Sequence, residues 1–231
     1  MNFKEICESV LEESDGRAVQ LASLSLGRDT AGDLYVTNPT HRNVIRWVQE
    51  EYQRIQLLSG NWEFHHKRGG FLNVAANRDE YNKRGVRRLA YESLYYIPSG
   101  GSARIPVFQQ PYSWWQQQER VNTVSSSQPL NLIEGPVDEW IIWPIPTSAG
   151  VVYGEWWLKP QSLENADDEP CWDAYYHSLI KWNVLKLYAA EFAGEGSEAK
   201  LMARVNTMQP GLWAAFQRDY LINFEPPRPH L

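Results

Sequence analysis

Glu139-Trp140-Ile141-Ile142-Trp143-Pro144-Ile145-Pro146 leads through Thr147-Ser148-Ala149-Gly150 into Val151-Val152-Tyr153-Gly154-Glu155-Trp156-Trp157-Leu158. Two apolar runs rich in β-branched and aromatic residues flank a short Pro, Thr, Ser and Gly segment. The pattern reads as a hairpin with a loop of about five residues. Pro144 and Pro146 donate no ladder hydrogen bond, so their segment belongs at a strand end or a sheet edge. Successive side chains along a strand point to opposite faces, so Trp156 and Trp157 cannot share one. Either one of each adjacent tryptophan pair is core or both faces of the sheet are covered. In a ring-shaped assembly the cover can be a neighbouring subunit.

The same texture extends over residues 62–160, where short Val, Ile, Tyr and Trp runs alternate with Gly, Pro, Asn and Ser. Strands are expected over residues 88–97 and 103–108, while Gln116-Gln117-Gln118 and Ser125-Ser126-Ser127 read as loop or edge. Helical periodicity flanks this middle on both sides. Phe3, Ile6, Cys7, Val10 and Leu11 repeat at helical spacing, and residues 21–37 read as irregular connection. Asn38-Pro39 supplies an N-cap and a proline at the first helical position, followed by the stripe Val44, Val48, Tyr52 and Ile55. After a turn rich in acid, Asp173 caps a helix whose apolar face holds Tyr176, Leu179, Ile180, Val184, Leu187 and Phe192. Leu201, Val205, Met208, Leu212 and Phe216 mark a last helix, which should kink or restart at Pro210.

These readings predict an α+β chain: an antiparallel bundle of about four helices interrupted by a β-rich insertion. The bundle is expected from residues 1–61 and 172–222, the insertion from 62–171, and an extended C-terminal tail from 223–231, where three prolines stop any helix.

Composition narrows the function. With 231 residues, 28 acidic against 22 basic side chains and a net charge of −6, the chain has the wrong sign for wrapping its outer surface in nucleic acid. Its aromatic load is high, 11 Trp, 12 Tyr and 7 Phe, in a chain whose mean hydropathy is −0.51. Such side chains suit cores, sugar platforms and protein interfaces alike. Cys7 and Cys171 form no metal or disulfide pattern and point to a reducing compartment. Acidic residues stand where a cleaved signal would be basic and apolar, and no apolar run is long enough to cross a membrane.

Local clusters carry little chemistry. His65-His66-Lys67-Arg68-Gly69-Gly70 lacks the partners of a metal or phosphate motif and reads as an exposed polar hairpin turn. Arg78, Lys83, Arg84, Arg87 and Arg88 read as a solvated basic face. The carboxylate groups Asp138-Glu139 and Asp167-Asp168-Glu169 sit beside prolines in expected turns, and no serine or cysteine lies in a nucleophile motif. A non-enzyme without cofactor or metal is expected.

Several features in one order resemble the head-to-tail adaptor (connector) proteins of tailed bacteriophages, in the group with a β-rich insertion in a helical bundle. They begin with the helix Val44-Ile45-Arg46-Trp47-Val48-Gln49-Glu50-Glu51-Tyr52-Gln53-Arg54-Ile55-Gln56 and then Trp62-Glu63-Phe64. Ile142-Trp143-Pro144-Ile145-Pro146 comes later and runs on to Tyr153-Gly154-Glu155-Trp156-Trp157-Leu158-Lys159-Pro160. Asp167-Asp168-Glu169-Pro170 and Trp172-Asp173-Ala174-Tyr175-Tyr176-His177 then lead into the final helices. The resemblance spans residues 40–220.

It implies a structural protein of the virion neck, made in the host cytoplasm. Such a protein forms a homo-oligomeric ring, commonly of twelve copies, beneath the portal protein. The ring prolongs the DNA channel, lets double-stranded DNA pass transiently, and presents a platform to tail or neck proteins. The resemblance also implies portal attachment through the C-terminal residues Phe224, Pro226, Pro227, Arg228, His230 and Leu231. Trp114, Trp115, Trp156 and Trp157 are candidates for a subunit or tail interface. The aromatic strands leave two other readings open, a carbohydrate-binding module and a tail-completion or terminator protein.

Overall fold

The computed structural model describes residues 1–15, 19–21, 23–26, 36–59, 62–83, 85–119, 124–126, 131–192 and 195–222. Five α-helices form among them: α1 (Phe3–Asp15), α2 (Pro39–Leu58), α3 (Tyr112–Glu119), α4 (Ser178–Phe192) and α5 (Glu195–Tyr220). The strands are β1 (His66–Val74), β2 (Glu80–Asn82), β3 (Val86–Pro98), β4 (Ile105–Pro106), β5 (Phe108–Gln110), β6 (Ser125–Ser126), β7 (Asn131–Glu134), β8 (Glu139–Trp143), β9 (Ile145–Pro146) and β10 (Gly150–Leu158). The chain divides into two compact units, one of Met1–Phe64 with Pro160–Leu231 and one of His65–Lys159. No helix among the described residues is long and apolar enough to cross a membrane.

The expected bundle carrying an insertion is corrected by this architecture. The chain is mixed α+β, with five helices and ten strands in three sheets among the described residues, and is more strand-rich than such a bundle. The middle segment alternates apolar residues with period two in two layers and adds a helix of its own, so it builds separate cores rather than decorating the helices. The expected tail, residues 223–231, lies outside the described residues.

In the helical unit, α1 begins with a reciprocal cap: Asn2 Oδ1 accepts from Glu5 N and Glu5 Oε2 from Asn2 N, each at 2.9 Å. Asn38 Oδ1 accepts from Thr40 N at 2.9 Å and starts α2, with Pro39 as its first residue. Phe3, Ile6, Val10, Val44, Val48, Tyr52, Leu179 and Val184 are fully buried in one core. Residues 160–171, expected with the β-rich segment, belong to this unit because α2 holds them by polar contacts. Gln49 Nε2 donates to Leu163 O at 2.8 Å, Tyr52 Oη to Gln161 Oε1 at 3.0 Å, and Gln161 N to Gln56 Oε1 at 2.8 Å. Asp173 caps a 3₁₀ turn, Ala174–Tyr176, before α4 rather than α4 itself. Helix α5 continues through Pro210 without the restart that was one of the two expectations there; the ring sits on the exposed side of the helix.

In the β unit, one sheet has the order β1-β10-β3-β4 and a second the order β2-β8-β7-β5, with a small parallel pair β6-β9. Leu72, Val74, Tyr96, Val152, Leu132, Trp140 and Ile142 form the core of the unit. The residues alternating with them on β7 and β8, Ile133 and Ile141, are buried against Trp115, with Trp114 and Trp143 packed around them. The second sheet is therefore covered on both faces, which is why Trp140 to Trp143 reads as continuous apolar sequence. Its second cover is α3 of the same chain.

The hairpin expected from residues 139–158 does not form. β8 pairs with β2 and β7 in one sheet, whereas β10 pairs with β1 and β3 in the other. A hairpin would need donors near its turn, where Pro144 and Pro146 have none. Crossing between sheets gives both apolar runs neighbours on two sides and uses their full ladders. Residues 103–108 likewise split between sheets, β4 in the first and β5 in the second, with Val107 N donating to Leu94 O at 3.2 Å between them. Gln116, Gln117 and Gln118, expected in a loop or edge, lie in α3. His65 to Gly70 is not an exposed turn either: His65 is buried in a 3₁₀ turn and His66 opens β1.

Candidate interaction surfaces

Motifs far apart in sequence meet in one aromatic cluster of the helical unit. Trp62 follows α2, and its Nε1 donates to Ile55 O at 3.0 Å, which ties it to the last turns of that helix. Phe64 stacks on Trp62 at 5.7 Å and lies 5.4 Å from Trp172. Phe216 of α5, fully buried, lies 5.1 Å from Trp62, 5.3 Å from Trp172 and 5.4 Å from Tyr176. Tyr220 closes the cluster at 5.1 Å from Phe216, and its hydroxyl accepts from Asp173 N. The Tyr176 hydroxyl is bonded to Asp219, a contact that pushes its pKa up to about 12. Edge and tilted ring contacts of this kind add to burial and tie the end of α2 and the approach to α4 to the last helix.

The first sheet carries a different surface. On the face opposite its core, the register places His66 beside Trp157 and Trp157 beside Arg88. The Arg88 guanidinium lies 3.9 Å above the Trp157 ring and His66 lies 4.9 Å from it; Trp157 is buried. The next row pairs Arg68 with Glu155, Nε to Oε1 at 3.6 Å. Beyond it Tyr153 lies beside Gly70, where a Cβ would stand 3.3 Å from the tyrosine ring. Tyr153 stacks on Tyr95 at 5.4 Å and 7°, and Arg104 sits 5.1 Å above Tyr95. Between these rows lies a cleft of about 320 Å³ lined by Arg68, Ser93, Tyr95, Arg104 and Glu155. Ser93 holds its floor, donating to Ala90 O and accepting from Glu155 N.

The four tryptophans singled out from sequence are not brought together. Trp156 faces the sheet's core side and packs on Phe71 at 5.6 Å, whereas Trp157 faces the opposite side. Trp115, within α3, is 7% exposed, and Trp114 meets Trp143 edge-on at 5.4 Å. Phe224, Pro226, Pro227, Arg228, His230 and Leu231 lie outside the described residues.

The basic stretch is not a single solvated face. Arg78 lies over Tyr81 and Arg88 over Trp157, while Lys83 is buried over Trp140 and paired with Glu134; Arg84 is outside the described residues. Asp138 is ion-paired with Lys159 at 2.7 Å. Asp168 accepts from Glu164 N and Asn165 N, each at 2.7 Å, and these bonds hold its carboxyl below the usual range. Among the described residues no three His, Cys, Asp or Glu side chains converge as a metal site would.

Arg104 and Tyr95 carry no motif in the sequence, Arg68 belongs there to the expected polar turn of residues 65–70, and Tyr153 to the aromatic strand run. Tyr95 and Tyr153 meet only because β3 and β10 pair, and nothing local signals that pairing.

His65 titrates far from its ordinary range. Burial first, then the positive charges of Arg87 and Lys67, lowers its pKa to about 4. The unfolded chain takes up this proton near pH 6.5, before the folded one. The stability that neutral His65 supports is present above about pH 6.5 and is lost as pH falls towards 4. Urea midpoints measured from pH 7.5 to 4.5 should fall over this window, and His65→Gln should flatten the decline. An equal decline in both proteins would exclude His65 as its source.

No protein-family model matches the chain, and no curated protein matches it.

Proposed function

We propose that this protein is a head-to-tail adaptor of a tailed-bacteriophage virion, assembling as a ring beneath the portal and offering tail or neck proteins their platform. One observation carries the reading. The short motifs on which the resemblance rests, Trp62 with Phe64 and Trp172 with Tyr176, converge on Phe216 in a single cluster. Sequence elements that would be unremarkable alone thus act as one structural device within the helical unit, joining the end of α2 and the approach to α4 to the last helix. The net charge of −6 suits a channel that passes DNA without retaining it.

Negative-stain microscopy of the protein mixed with its portal should show an added ring of density. Monodisperse monomers with no portal affinity would overturn the proposal. Deleting residues 223–231 is expected to weaken portal association by about tenfold or more, since a proline-stiffened segment with apolar Phe224 and Leu231 loses little entropy on docking. Unchanged binding would remove the tail from the portal contact and leave the adaptor reading standing.

A further inference from the structure

We infer that the arginine cleft on the first sheet is a socket for the acidic turn 164–169 of a second copy of this chain, making a head-to-tail contact between neighbouring subunits. The inference rests on the ring reading above and names the contact that would close the ring.

The socket is electropositive in an acidic protein. Arg68, Arg88 and Arg104 project from the same side of the sheet with Glu155 as the acid among them, although the whole chain carries −6. Arg68 is 83% exposed. Arg104 is exposed, its guanidinium is held over Tyr95, and no described carboxylate lies within salt-bridge distance of it. Their side chains are positioned in advance, Arg68 by Glu155 and Arg104 by the stacked Tyr95 and Tyr153, so little ordering entropy remains to be lost on binding. The cleft of about 320 Å³ between them admits one or two carboxylate side chains.

The turn has the complementary chemistry. Glu164, Asp167 and Glu169 are exposed on it. Asp168 folds back to bind the turn's own amides, and the turn is fastened to the start of α1, where Phe3 N donates to Asp168 O at 2.8 Å and Lys4 N to Ala166 O at 3.2 Å. A rigid acidic knob and a rigid basic socket are thus carried by one chain. Unlike patches of this sort join copies head to tail, the contact type that closes into rings. Duplex DNA is the weaker occupant, because the chain as a whole carries −6 and a cleft of about 320 Å³ takes discrete carboxylates rather than a duplex backbone.

Charge reversal tests the contact on the full chain. Sedimentation velocity and negative stain would be run on Arg68→Glu with Arg104→Glu, on Asp167→Arg with Glu169→Arg, and on their equimolar mixture. All changed side chains are exposed, and unaltered thermal melts would verify folding. Each variant alone should associate at least about tenfold more weakly than the native chain, through like charges across the interface. The mixture should recover association, since each socket then meets an opposite knob. High salt should weaken the native contact.

Native-like rings from either variant alone would overturn the inference and leave the adaptor reading intact. Failure of the mixture to recover would also overturn it. Native chain that stays monomeric, alone and on the portal, would overturn both. Loss of binding to a duplex DNA fragment in the arginine variant, with ring formation unchanged, would reassign the cleft to DNA.

Discussion

Phe216→Ala is expected to lower the unfolding free energy by about 3–5 kcal/mol, the usual cost of emptying a large buried aromatic site. Phe216 is fully buried and touches five other rings of the helical unit, Trp62, Phe64, Trp172, Tyr176 and Trp213, before Tyr220 completes the set. These rings come from the end of α2, the approach to α4 and α5 itself, so neighbours cannot refill the space without moving three segments at once. Urea unfolding followed by tryptophan fluorescence should show the midpoint shift together with a change in the native-state spectrum. A loss below about 1 kcal/mol would mean that the cluster collapses freely and does not join those segments. Ring assembly should weaken in parallel if the device serves the scaffold proposed above.

The second large effect is expected at Glu134. Lys83, 8% exposed along its side chain, is paired with Glu134 and lies 4.9 Å above the Trp140 ring. Glu134→Ala leaves an ammonium group in apolar surroundings without its carboxylate. Breaking a fully buried pair costs about 3–5 kcal/mol, and because Glu134 is 46% exposed the loss here is expected nearer about 2 kcal/mol. Replacing both partners, Lys83→Met with Glu134→Leu, should return stability to within about 1 kcal/mol of the native chain, since no charge is then left buried. Urea unfolding of the single and double variants checks the contrast. A double variant as unstable as Glu134→Ala would show that the pair's geometry, not the stranded charge, sustains the β unit.

The helices were legible because their signals are local. Asn38-Pro39, the spacing of Val44, Val48, Tyr52 and Ile55, and the similar stripe from Leu179 to Val184 are read within one or two turns. Asp173 was legible as a cap but not as the cap of a 3₁₀ turn, a distinction that depends on Tyr175 N and the approach to α4. Helix α3 was hidden, since Gln116, Gln117 and Gln118 resemble loop sequence and its Trp115 is held by Ile133 and Ile141 of other strands. The candidate surface was legible only in fragments. Strand geometry alone places Trp156 and Trp157 on opposite faces, whereas nothing local joins Arg68 to Tyr95 and Arg104, because they lie on β1, on β3 and just before β4.

From Glu139 to Leu158, side-chain chemistry was enough to establish two apolar strands, a proline-bearing segment unable to serve a ladder, and tryptophans divided between faces. These follow from donor count and a period of two, properties that each residue brings with it. Which strands lie beside them did not follow. β8 and β10 pair in different sheets because each finds two partners there and because the second sheet gains α3 as its cover, and all of those partners except β7 stand tens of residues away. Pairing is a competition among distant segments for backbone donors and buried area, and it is resolved only when all of them are packed together.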